Sequence, residues 1–194
     1  MRHVKTKIVA DLILTKLGET YNRVHSDQEL IKAINHVVHY MNLICIRLDS
    51  PFFQKTVAIK KKEHGVELPD DYVRLCRFES EDNPDLINRG TANTDEGSST
   101  QYKLLGDKIY VSRDDTMIYY YHVRPLLTLG SNEYLLDKYI DMPYFLMWSL
   151  VDLAAGYLEG VMNDAAIQDA ITAEVQSAMN ESKETHRRIA FKIM

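Results

Sequence analysis

From Phe52 to about Pro125 the apolar residues stop recurring at helical spacing and take up the period of two, while the chain on either side keeps a helical period. That switch constrains the fold more than any other feature. A period of two sends alternate side chains to opposite faces of a pleated sheet, and a period near 3.6 builds one stripe on a helix. The chain therefore reads as helices, then a β-rich insertion, then helices. We expect a mainly α protein with a small antiparallel β insertion, an α+β arrangement of helical bundle, β-hairpin or sheet, and C-terminal arm.

The first flank opens with Val4, Ile8, Val9, Leu12, Ile13 and Leu17 at helical spacing, stopped by Gly18. In the second helix Ser26 precedes Glu29 by three residues, the spacing of a capping box in which each side chain satisfies a free backbone N–H. Leu30, Ile31, Ile34, Val37, Val38, Met41, Ile44 and Cys45 then form a broad apolar stripe, and Asp49-Ser50-Pro51 ends it. Residues 1–50 are thus a helix pair.

Within the insertion, 51–125, Thr56–Ile59 is β-branched and extended, and Lys60, Lys61 and Lys62 follow it. Tyr102–Leu105 and Lys108–Val111 flank Gly106-Asp107 as a hairpin, and Met117–Arg124, ended by Pro125, suits a half-buried strand. Residues 79–99 are acidic, turn-rich and poor in apolar anchors, and read as a long surface loop. Beyond Pro143, Tyr144 to Met162 is apolar nearly all round, which suits a helix at the centre of a bundle or against another subunit. A polar helix from about Ala165 carries the narrow stripe Ile167, Ile171, Val175 and Met179; residues 140–183 are the second helix pair. Residues 184–194 alternate basic and apolar side chains, and either prolong that helix or leave it as an arm. All 194 residues make a single domain.

Chemistry finds little foothold. His36 and His39 lie three apart on a helix without a third ligand at a persuasive spacing, and two cysteines make no thiolate cage for zinc. Cys45 lies on the apolar stripe, where a buried structural thiol outweighs a nucleophile. No Walker sequence, GxGxxG, HExxH or Gly-x-Ser-x-Gly turn is present. Asp70-Asp71 and Asp114-Asp115 stand at turns, where Asp serves local hydrogen bonds. We therefore expect no enzyme, no catalytic or metal residues and no cofactor. No run of about 18 apolar residues offers a membrane span, and the N-terminus lacks the unbroken apolar core of a secretory signal.

The formal charge is −5, against a broad nucleic-acid grip. It is uneven: residues 1–64 carry 11 Lys/Arg against 6 Asp/Glu, and residues 65–194 carry 12 against 22, a polarity able to orient neighbours in an assembly. Lys60–Lys62 is the one dense basic cluster. It either faces DNA phosphates or guards an edge strand against unwanted pairing.

In order, a capped SDQELIKAINHVVHYMN helix, VELPDDYVRLCRFES, the hairpin YKLLGDKIYV leading to DTMIYYYHVRP, and the helix YFLMWSLVDLAAGYLEG followed by a polar helix resemble the head-to-tail adaptor (connector) proteins of tailed bacteriophages, particularly the short-tailed type. The likeness spans nearly the whole chain and rests on the order of parts, with Leu68–Tyr72 and Asp107–Val111 its most telling pieces. It implies a structural virion protein at the head–tail junction, assembled in the host cytoplasm. Such proteins form a ring, typically of twelve copies, beneath the portal. The ring extends the DNA channel, helps retain the packaged genome and gives tail or nozzle proteins a platform. The implied partners are the portal protein, tail proteins, further copies of the chain and, transiently, passing DNA. By the same likeness Arg187, Arg188, Ile189, Phe191 and Ile193 would be the portal-docking arm. Two other classes compete: a helical nucleic-acid-binding or regulatory module using Lys60–Lys62, and a small hydrolase built from loop carboxylates.

Overall fold

Ser26 accepts from the backbone N–H of Glu29 at 3.3 Å while the Glu29 carboxylate accepts from the Ser26 N–H at 2.8 Å, so both halves of the capping box are in place. The computed structural model describes residues 4–79, 102–123 and 138–192, with the backbone alone at Glu79 and residues 182–192. The elements are β1 (Val4–Lys5), α1 (Thr6–Lys16), α2 (Asp27–Arg47), β2 (Gln54–Ile59), β3 (Val66–Glu67), β4 (Tyr72–Glu79), β5 (Tyr102–Leu105), β6 (Lys108–Val111), β7 (Asp115–Tyr121), β8 (Tyr139–Ile140), a 3₁₀ turn (Tyr144–Leu146), α3 (Met147–Leu158) and α4 (Asp164–Lys192). They divide into two compact units, Met1–Phe53 with Val123–Met194, and Gln54–His122.

The first unit is helical. Helix α2 packs on α3 and α4, and α1 packs on α3. The stripe read from the sequence is the core: Leu30, Ile31, Ile34, Val37 and Met41 are fully buried with Val9, Ile13, Leu150, Ala154, Ile167 and Val175. Each large aliphatic side chain removed from water contributes about 1.5–3 kcal/mol, so this stripe dominates the unit's stability. Helix α1 has no side-chain cap. The carbonyl of Lys138 substitutes, accepting from the Thr6 N–H at 3.0 Å and hydroxyl at 2.8 Å, beside the β1–β8 pair Val4↔Ile140. This satisfies a donor that a helix start otherwise leaves open.

The second unit holds two antiparallel sheets, ordered β2-β7-β4 and β3-β6-β5. Strand β7 is central in the first, and Met117 through Tyr121 are all buried there. Strand β4 slips register between Tyr72 and Arg74 and again between Leu75 and Arg77. Such bulges bend a strand and re-aim its side chains. The second sheet is the β5–β6 hairpin with β3 added through Val66↔Ile109.

The expectation of a mainly α protein is wrong. The fold is an α+β mixture, about 46% helix and 24% strand, with three small antiparallel sheets and four helices among the described residues. Two causes account for the excess of strand. Pairs as short as β1–β8 and β3–β6 leave no alternating run long enough to register, and β4 hides its period behind its bulges. The long loop expected at 79–99 lies almost wholly outside the described residues, which resume at Tyr102.

Candidate functional site

Four polar groups gather where α2 meets the start of α4. Asp164 accepts from the Tyr40 hydroxyl at 2.9 Å and pairs with His36 Nε2 at 2.8 Å. The His36 ring lies 4.5 Å from the Tyr157 ring and meets Tyr40 edge-on at 5.1 Å. The His36 hydrogen bond, then that of Tyr40, holds the Asp164 carboxyl below its ordinary value, and the same bond raises the Tyr40 hydroxyl. His36 is thus committed to Asp164, and His25 to Glu19 at 2.6 Å. Among the described residues no group of three or more His, Cys, Asp or Glu is placed to hold a metal ion. Burial pushes the Cys45 thiol up to about 11, against a weaker opposing hydrogen bond from Ser50, so it is a poor nucleophile.

In the sheet unit Asp71 takes Lys55 Nζ at 2.8 Å on one oxygen and the Tyr119 hydroxyl at 3.0 Å on the other, and Lys55 stands 4.1 Å over the Tyr121 ring. Burial pushes Asp71 up, but Lys55 and Tyr119 together outweigh it and hold the carboxyl low. Tyr120 faces the other way, with Arg74 5.0 Å from its ring. The trio ties the turn before β4 to β2 and β7. Its polar atoms are spent on one another, which fits a strut better than an acid–base pair.

Lys60, Lys61 and Lys62 are all exposed and follow the last residue of edge strand β2. The Lys61 N–H donates to Asp114 at 2.7 Å, which brings the basic run against the β6–β7 turn. Arg187, Arg188, Ile189 and Phe191 fall in α4, whose backbone is helical to Lys192; Ile193 lies outside the described residues. Among the described side chains of α4, which end at Glu181, the last buried one is Val175, and residues 176–181 are exposed or half-buried. No described helix is long and apolar enough to cross a membrane.

Two surfaces escaped the sequence. Glu19, only 8% exposed, accepts from the N–H groups of Val24 at 2.8 Å and His25 at 2.9 Å, and so folds the α1–α2 loop around itself. Tyr144, Phe145 and Trp148 stand exposed at the start of α3, where a helix apolar all round promised burial. An acid eight residues before a helix gives no sign of such a staple, and no periodicity tells which side of an all-apolar helix stays outside. A scan against protein-family models matches none, and a search of curated proteins finds no relative.

Proposed function

We propose that this chain is a structural protein of a phage virion, a head-to-tail adaptor that forms a ring beneath the portal, extends the DNA channel and offers a platform to tail proteins. The observation that carries the reading is α4. A helix of 29 residues is about 44 Å long, and nothing past Val175 is buried among the side chains described. A helix running beyond its own core is marginal in water unless something covers it. Its terminal stretch, with Arg187, Arg188, Ile189 and Phe191, supplies both charge and apolar anchors for a partner such as the portal. The separate β unit is the natural face for tail proteins, and Lys60–Lys62 the natural contact for passing DNA.

Electron microscopy of the protein mixed with the portal ring encoded beside it tests this. The expected result is a second annular layer whose copies can be counted. Deleting residues 186–194 should abolish the layer and leave the fold intact. A folded wild-type protein that adds no layer would end the adaptor reading. The exposure of Lys60–Lys62 favours one alternative, a nucleic-acid-binding module, which predicts duplex binding by the isolated protein that weakens steeply with salt.

A further inference from the structure

We propose that copies of this chain join head to tail through two different patches of the helical unit, the α1–α2 loop of one copy seating Tyr21 and Val24 on the Tyr144–Phe145–Trp148 face of the next. The inference rests on the ring reading above for closure of the assembly and deepens it by assigning the contact between neighbours.

The loop is built to present those side chains. Glu19 gathers the Val24 and His25 backbone and the His25 ring, Arg23 Nε donates to the His25 carbonyl at 2.8 Å, and its guanidinium pairs with Asp27 just ahead of Glu29. Yet Tyr21 is 96% exposed and Val24 79% exposed. A loop fixed in advance loses little entropy on docking, and tyrosine is among the side chains that most often carry binding energy.

The receiving face is equally defined. The Thr6–Lys138 hydrogen bonds set the start of α1 beside Lys138, and the Lys16–Asp152 ion pair sets its end against α3. Tyr144, Phe145 and Trp148 fall within five residues at the entry to α3, and Ile8 lies on α1. Trp148 is 58% exposed, Ile8 and Tyr144 50% each, and Phe145, its ring 4.6 Å from that of Phe52 and tilted by 58° to it, 40%. Grouped exposed aromatics of this kind mark an interaction surface.

Charge selects a second copy as the occupant. From Tyr139 to Ser182 the chain has seven Asp/Glu and no Lys or Arg, whereas residues 1–47 have seven Lys/Arg against four acids. The basic helix pair that carries the loop thus complements the acidic pair that carries the aromatic face. The loop follows the end of α1, whereas the aromatic face lies at the entry to α3, on a different element. Two unlike patches make a heterologous contact, which closes into a ring when the rotation between copies allows it.

The chain's one tryptophan, Trp148, reports on the face directly. Sedimentation and tryptophan emission of the full chain would be followed over a concentration series up to its solubility limit, for wild type, Tyr21→Ser and Trp148→Ala. Wild type should grow past the dimer as its emission shifts blue and acrylamide quenching falls. Both variants should associate about tenfold more weakly or worse. Mixed one to one, they should stop at a dimer, because each keeps one intact patch. Circular dichroism identifies a variant that has lost its fold, and Tyr21→Ser, altering a solvated side chain, then decides alone. Wild type that stays monomeric, or Tyr21→Ser that associates like wild type, overturns the contact. If Tyr21→Ser also forms the annular layer on the portal, the contact is wrong and the adaptor reading stands. If wild type associates in this way but adds no layer, the contact stands and the adaptor reading falls.

Discussion

His36 and Asp164, 128 positions apart in sequence, meet at 2.8 Å and fasten the middle of α2 to the first residue of α4. Asn163 caps the same helix start, its side-chain oxygen accepting from the Ala166 N–H at 3.0 Å. The base of the long terminal helix is therefore anchored by polar contacts as well as by Ile167 and Ile171.

That anchor should respond to acid. Because the His36 bond, then the Tyr40 bond, lowers the Asp164 carboxyl in the folded chain, the unfolded chain binds a proton at a pH where the folded one does not. The contribution is complete above the ordinary aspartate value of about 3.9 and is lost as pH falls through the lower folded value. Denaturant unfolding across an acid series should show Asp164→Asn less stable than wild type at neutral pH and the gap closing in that window. A gap independent of pH would assign the loss to geometry rather than charge.

The Ser26–Glu29 box should be worth a measurable amount. Ser26→Ala removes the acceptor for the Glu29 N–H and should cost about 1 kcal/mol, or about 2–4 °C in Tm for a chain of this size. Ser26→Asp should recover most of it. Equal loss in both variants would mean that the reciprocal Glu29 contact, or the loop before it, carries the effect.

This box was legible from four residues because capping is local chemistry, and so were the buried positions of α2. What could not be read depends on distant partners. Val4 pairs with Ile140 and Thr6 with Lys138, so β1 exists only because the chain returns beside it. The bulges at Val73 and Cys76 depend on how β4 lies against β7. The lysines at 60–62 were legible as a cluster and as the guard of an edge strand, and the order β2-β7-β4 puts them just past such an edge. Trp148 is the plainest case. Its helix was found, but Leu150 and Leu153 took the interior and left Trp148 outside.

Alkylation should separate the two cysteines. Burial raises Cys45 to about 11, so at neutral pH its thiolate is on the order of 10²–10³ times scarcer than that of an ordinary thiol near 8.5. Cys76 is half-buried on β4. Brief iodoacetamide treatment of the native chain, followed by peptide mass analysis, should label Cys76 and spare Cys45 until denaturant is added. Labelling of both at similar rates would mean that the α2 core opens far more readily than its packing implies.

Gly65 and Gly18 share a φ of +73°, but only one of them is hemmed in. A Cβ at Gly18 would meet nothing within 4 Å, whereas at Gly65 it would meet the Tyr110 ring at 3.0 Å and the Ile109 carbonyl at 3.2 Å. Gly18→Ala should cost only the left-handed backbone penalty, about 1–2 kcal/mol. Gly65→Ala bears the same penalty and must also displace Tyr110 from the β6 register that holds β3, so it should be the more damaging of the two. The comparison cancels the shared backbone cost, and unfolding free energies of the two variants give the difference directly. Equal losses would show that Tyr110 swings aside without effort and that β3 is not held by this turn.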